Sequence, residues 1–246
     1  MIKYRQLAMV LSAKLGTTCI ILLGMFTPSA MSFQKIGLIS RMGSRRNNRL
    51  LTNIFAVERE VDPGVVEGTE LRIVKYPHPS LREKNDEITK EELKDGSIAK
   101  LAKEMFLVMY AAEGVGLAAP QVGVNKRLMV YNEHGDPKKW LDEMTMVNPK
   151  IVEFSDGKDT DTEGCLSFPE MDGEVERSKW IKVEAMNLKG KKIKRKFSGW
   201  EARIFQHEYD HLDGVVYVDR LTEEGRTKVQ PRLDELVKEF GDGGAL

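Results

Sequence analysis

The pattern of apolar and polar positions divides the chain into elements of two periods. From Ile98, apolar side chains recur at Leu101, Met105, Val108/Met109 and Ala112. Spacings of three and four put them on one face, so a helix of about four turns is expected, ended by Gly114. A second helix should start near Ser198, a suitable N-cap, and run to His211 or Leu212, with Gly214 as its stop. Trp200, Ile204, His207 and His211 fall at i, i+4, i+7 and i+11, so one face passes from apolar to imidazole. A last helix, about Thr222 to Phe240, contains Pro231. Alternation marks the strands. Leu71–Val74 reads as a short strand broken by Pro77 and Pro79, and Leu128–Tyr131 and Met144–Phe154 follow. Ser155 to Thr162 reads as turn-rich. It leads into Glu163-Gly164-Cys165-Leu166-Ser167-Phe168-Pro169, with Cys165 in a turn, and then a loop at Glu170–Gly173. Trp180–Met186 alternates with Ile181, Val183 and Ala185 on one side. Asn187–Gly190 is its hairpin turn and Lys192–Phe197 the returning strand. A short apolar run, Val215–Val218, precedes the last helix. Helices set among antiparallel strands give an α+β class, with antiparallel sheets around a central helix.

The start of the chain is of another kind. Lys3 and Arg5 precede an apolar stretch, Leu15–Phe26. It is short for a bilayer span, which needs roughly 20 residues, and has the length of a signal-peptide core. Ala30-Met31-Ser32 offers a cleavage context. From Phe33 to Val57 the chain is basic, carries Ser and Asn, and lacks acid. Residues 1–57 therefore read as a bipartite leader, signal peptide about 1–32 and transit peptide about 33–57. Such a leader addresses a plastid bounded by extra membranes. A mitochondrial presequence or a single membrane anchor is the alternative. Residues 58–70 read as an acidic linker and 71–240 as the catalytic domain.

Charge follows the same division. The chain has 38 basic and 38 acidic residues, but the leader holds eight of the basic ones and no acid. The remainder carries 30 basic against 38 acidic residues, a net of −8. That balance argues against direct nucleic-acid binding, which needs a basic surface. The run Lys189 to Lys196 reads as a solvated hairpin. Of two cysteines, Cys19 lies in the leader. With the leader removed, Cys165 has no partner, which excludes a disulfide framework and fits a soluble mature form in a reduced compartment.

The strongest chemical signal is His207-Glu208-Tyr209-Asp210-His211. Residues four apart share a helix face, so both imidazoles can hold one metal, and Glu208 is placed to act on a water beside it. A surface pair of histidines on a charged helix is the plainer alternative. A third ligand is needed. His78 and His134 sit in loop contexts, and no downstream ligand of a zinc protease is evident. Cys165 is the better candidate, because a thiolate binds divalent transition metals tightly. Otherwise it is a buried small hydrophobe. Two glycines and small residues at Gly114–Gln121 would let another backbone approach closely.

Taken together, these segments resemble the peptide deformylase family. Its motifs G-x-G-x-A-A-P-Q, E-G-C-x-S and Q-H-E-x-D-H-x-x-G stand complete and in order at Gly114–Gln121, Glu163–Ser167 and Gln206–Gly214. The resemblance covers about Leu71 to Leu221, including the opening Val74-Lys75-Tyr76-Pro77. The Glu-Gly-Cys-Leu-Ser-Phe-Pro form and the lead-in Ala202-Arg203-Ile204-Phe205 look most like organellar members, the 1B subgroup. The resemblance implies a metallohydrolase that removes the formyl group from the N-terminal formyl-methionine of new proteins. It implies metal ligands Cys165, His207 and His211 holding one divalent ion, Fe(II) with Zn(II) as the alternative. It implies Glu208 as acid/base, with Gln121 and the Leu166 N–H steadying the developing oxyanion. Val115, Gly116, Trp200 and Ile204 are expected to bind substrate, though Trp200 could equally be core. The peptide is expected to add as a strand beside Gly116 and the Cys165–Glu170 segment. Glu163 and Gln206 are expected to orient the ligands, and Asp210 either to do likewise or to be a solvated helix charge. The implied partners are N-formyl-methionyl nascent peptides and an organellar ribosome. Ribosome docking is not carried over, because the acidic tail offers no basic helix for rRNA. An inactive formyl-methionine binder and a general zinc protease are the rival readings.

Overall fold

The computed structural model of this chain describes residues 63–241. The leader, Cys19 and residues 58–62 of the expected linker lie outside them. The first α-helices are a short one, α1 (Lys90–Lys94), and the expected amphipathic helix α2 (Ser97–Ala111). Thr89 and Glu92 cap α1 reciprocally, side chain to backbone in both directions. Helix α2 buries Ile98, Met105, Val108 and Met109 of the face that the spacing marks; Leu101 is half-buried, and Ala102 and Phe106 widen the buried face.

Seven strands follow: β1 (Gly116–Ala118), β2 (Leu128–Tyr131), β3 (Met144–Phe154), β4 (Lys158–Cys165), β5 (Phe168–Ser178), β6 (Trp180–Met186) and β7 (Lys192–Ser198). All pairings are antiparallel. They form a five-stranded sheet in the order β1-β2-β3-β6-β7 and a separate hairpin β4–β5. Helix α3 (Gly199–Leu212) runs between sheet and hairpin, and α4 (Glu223–Gly241) packs on β5. The α+β expectation holds. Among the described residues no helix is long and apolar enough to cross a membrane.

Three expectations need correction. Leu71–Val74 is not a strand. The Val74 N–H donates to the Gln121 carbonyl at 2.9 Å and the Tyr76 N–H to that of Ser167 at 2.9 Å, so the segment meets two different neighbours and no ladder forms. Its alternation arises because Ile73 enters one core cluster and Val74 another. Turn geometry at Ser155–Thr162 stops at Gly157; Lys158 to Thr162 pair with Ser178 to Glu174. Glu170–Gly173 is no loop either, but part of β5. Lys158 to Thr162 are polar on both faces, and Glu170–Gly173 offers only Met171 as an apolar buried position, too little alternation for an apolar reading.

The core gathers in three clusters. One lies under α2, with Leu117, Val130 and Leu166. A second joins Val115, Met129, Ile181, Val183 and Phe197 to Ala202, Ile204 and Phe205 of α3. The third sets Cys165, Phe168 and Val216–Val218 against Val229, Leu233 and Leu236 of α4. Helix α3 is thus covered all round, and every residue from Ala202 to Glu208 is buried. Gly214 ends it as expected, at φ +70°. A Cβ there would stand 2.9 Å from the Arg82 carbonyl oxygen, so only glycine fits. Ser198 precedes the helix but makes no side-chain cap. The Gly199 N–H is met instead by the Lys179 carbonyl at 2.9 Å.

Candidate metal centre

The end of β4, the helix α3 and the turn after β1 converge on one buried point. Cys165 is the last residue of β4 and pairs with Phe168 across a two-residue turn, Leu166-Ser167. His207 and His211 lie one turn apart on α3, with ring centroids 5.2 Å apart. One donor atom from each of Cys165, His207 and His211 lies within 4.8 Å of the other two, and all three residues are buried. Cys165 Sγ stands 3.3 Å from His211 Nε2. Among the described residues no other group of His, Cys, Asp or Glu gathers in this way.

This donor set fits a divalent transition metal. His207 gives its Nδ1–H to Glu163 at 3.0 Å, which leaves Nε2 with its lone pair in the site, buried and without a hydrogen-bond partner. Burial pushes the His207 imidazole down to about 4, and His211 well below its usual range for the same reason. Both rings are therefore neutral, as a metal requires. Burial also pushes the Cys165 thiol up. A thiol in that setting ionises readily only against a cation.

Glu208 follows the first imidazole and is buried. Gly116 makes room for it: a Cβ on Gly116 would lie 2.6 Å from Glu208 Oε1 and 2.9 Å from its Cγ. The sequence suggested a close backbone approach at this glycine, and the structure puts a carboxylate side chain there instead. Burial, with the charge of Glu163 adding to it, pushes the Glu208 carboxyl up to about 8. The group can therefore hold a proton near neutral pH. Gln121, in the 3-10 turn after β1, accepts the Ala118 N–H at Oε1 (2.8 Å), and its Nε2 points at Cys165 Sγ (3.4 Å). Its amide is therefore fixed with the donor end toward the site.

Behind the ligands is a buried charge network that the sequence only half revealed. Glu163 accepts from His207, from Arg177 through Nε and Nη2 (3.0 and 2.9 Å), and from Arg203 Nη1 (2.8 Å). Burial opposes its ionisation, yet the His207 N–H and the Arg177 guanidinium hold its carboxyl well below the usual range. Asp210 is neither solvated nor a partner of a ligand. It holds Arg177 Nη1 at 2.5 Å and Arg220 Nη2 at 2.7 Å. Arg177 and Arg203 escaped the sequence reading. The only available hint was Arg203, four residues before His207 and so on its face of the helix.

The other expected residues divide. Val115 and Ile204 share the second cluster, and Trp200 packs against it half-buried, its indole N–H donating to the Glu133 carbonyl at 3.1 Å. Leu166 packs in the first cluster at the hairpin tip. Gln206 does not touch the ligands. It ties α3 to Ser178 through both amide atoms (2.9 and 3.1 Å). His78 and His134 stay away, paired with Ser80 and lying near Asp142 respectively.

Residues 70–227 match the family described as polypeptide deformylase. The chain is 44% identical over 178 residues to the Arabidopsis thaliana protein named peptide deformylase 1B, chloroplastic/mitochondrial. That alignment covers 72% of this chain and 64% of the plant protein, so the chain spans less than two thirds of that relative's length. A crystal structure of Arabidopsis thaliana peptide deformylase 1B superposes with a TM-score of 0.65 at 42% identity, covering 72% of this chain and 94% of that one. A Plasmodium falciparum peptide deformylase structure gives 0.64 at 39% identity, covering 70% and 98%.

Proposed function

Because the chain belongs to the peptide deformylase family, we propose that it removes the formyl group from the N-terminal formyl-methionine of new proteins, releasing formate. The observation that carries this reading is the buried set of Cys165, His207 and His211, with Glu208 lodged against Gly116 and the Gln121 amide aimed into the same space. Cys165, His207 and His211 would hold one divalent ion, which when bound supplies Lewis acidity and an acidified water. Glu208 takes a proton from the attacking water and later gives it to the departing amine. Negative charge develops on the formyl oxygen, where the Gln121 Nε2–H and the Leu166 N–H donate. Glu163 holds His207 by Nδ1, so that Nε2 stays in its productive orientation. Strand β1 lies at the edge of the five-stranded sheet, so a peptide can pair beside Gly116, which grips backbone regardless of side chain. Val115, Ile204 and Trp200 supply apolar surface for the methionine thioether.

The decisive assay is formate release from formyl-Met-Ala-Ser, set against cleavage of the unformylated peptide. Formate with no peptide cleavage supports the proposal; peptide cleavage without formate would mean a zinc protease, and neither product an inactive binder. The ion proposed is Fe(II), with Zn(II) as the alternative, since both accept one thiolate and two imidazoles. Metal analysis after anaerobic purification distinguishes them. The proposed location is the plastid, on the basic, acid-free leader behind a signal-like core. A fluorescent fusion of residues 1–60 that marked mitochondria would count against it.

A further inference from the structure

The three candidate ligands come from two separate elements, the hairpin β4–β5 and the helix α3, and something must set the distance between them. Arg203 bridges these elements three times over. Its Nη1 donates to Glu163 Oε1 at 2.8 Å and to the Val175 carbonyl at 2.9 Å, and its Nη2 donates to the Asp159 carbonyl at 2.8 Å. Asp159 and Glu163 lie on β4 and Val175 on β5, so one guanidinium from α3 grips both strands of the hairpin. Glu163 is two residues before Cys165, and Arg203 is one turn before His207 on the same helix. The carboxylate joins them directly: Oε1 takes Arg203 while Oε2 takes His207 Nδ1. Arg177 grips the same carboxylate from within the hairpin and reaches the helix only through Asp210, and Gln206 reaches Ser178 at the far end of β5; Arg203 alone of these three meets the carboxylate that holds His207 from the helix side.

We infer that Arg203 is a positioning residue that sets the spacing between the Cys165 thiolate on the hairpin and the two imidazoles on α3, and so the metal affinity of the centre. The inference rests on Cys165, His207 and His211 being metal ligands. It also assigns a task to this arginine in particular. A planar fork can serve three acceptors at once, whereas a lysine keeps the charge but cannot span a side chain and two backbone carbonyls in that geometry.

A cavity of about 290 Å³ opens beside Arg203, lined by Asp159, Arg177, Ser178, Lys179, Gly199 and Arg203 itself. Truncating Arg203 to alanine would extend this space by a guanidinium-sized hole reachable from outside. The test uses the full chain, stripped of metal and titrated with Co(II) and with Zn(II). Arg203→Ala should bind both ions roughly 10- to 100-fold more weakly, the usual effect of losing support behind a ligand, and should show an altered visible band with Co(II). Added guanidinium, far below unfolding concentrations, should enter the hole and restore affinity. Parental affinity and an unaltered Co(II) band would overturn the inference. So would a loss that guanidinium does not reverse, because a general structural defect would behave that way. If Arg203→Ala does not fold, Arg203→Lys carries the same titration: weaker binding is expected, and parental binding overturns the claim. A parent chain that binds Co(II) yet releases no formate would count against the proposed reaction alone.

Discussion

The hairpins β6–β7 and β4–β5 use charge in opposite ways. In β6–β7 the alternation is apolar and polar: Ile181, Val183, Ala185 and Phe197 point inward, while lysines such as Lys192, Lys194 and Lys196 stand in solvent. In β4–β5 charge points both ways. Asp159, Asp161, Glu174 and Glu176 are exposed, but Glu163 and Arg177 are buried and paired, and Cys165 sits at the tip. The first hairpin is held by the hydrophobic effect and treats its charges as a solvated surface. The second is tied to the helix behind it by ion pairs and hydrogen bonds, and those same pairs orient the candidate ligands. Buried ion pairs are costly to assemble and weak evidence for stability. Their presence here is better explained by what they position.

The sharpest break of this contrast is Glu163→Ala. It leaves Arg177 and Arg203 buried without their shared carboxylate, and should cost about 3–5 kcal/mol in denaturant unfolding together with loss of metal affinity. Phe197→Ala should cost a similar amount, about 3–5 kcal/mol, by leaving a cavity in the second cluster, but with metal affinity unchanged. If the folded Phe197→Ala chain lost its metal as readily as Glu163→Ala does, the division of labour between the hairpins would be wrong. Smaller still is Gly116→Ala, where β1 meets Glu208 of α3. Its methyl must push Glu208 aside, so formate release should fall about 100-fold while the metal stays bound. Full activity in that variant would remove Glu208 from the proposed proton transfer. Least of all, Lys194→Ala breaks an exposed pair with Glu184 on β6–β7, and should leave the unfolding midpoint unmoved within error.

The same contrast explains which elements could be read from the chain. Strand β6, its turn and the returning β7 were legible within a residue, because one buried face imposes a period of two on apolar residues. Strand β4 was misread as turn because Lys158 to Thr162 carry no apolar residue and its first buried side chain is Glu163, and the start of β5 because its buried Met171 stands alone among Glu170, Asp172 and Gly173. Leu71–Val74 failed in the other direction. Its alternation was real, but it reports one segment threaded between two clusters, and no neighbour pairs with it along its length.

What the sequence by itself determined is the chemistry at short range. His207 and His211 share a helix face because they are four residues apart, Gly214 ends that helix, and Gly116 and Cys165 stand in motifs tied to one family. These features depend on neighbours along the chain, so they are visible in it. Only the tertiary structure decided that Glu163 is gripped by Arg177 and Arg203 together, that Asp210 serves Arg177 and not a ligand, and that Gln206 binds Ser178. The physical reason is that a charged side chain looks the same in sequence whether water or a partner balances it. The balance comes from groups 10 to 44 residues away, and only folding brings them within hydrogen-bond reach.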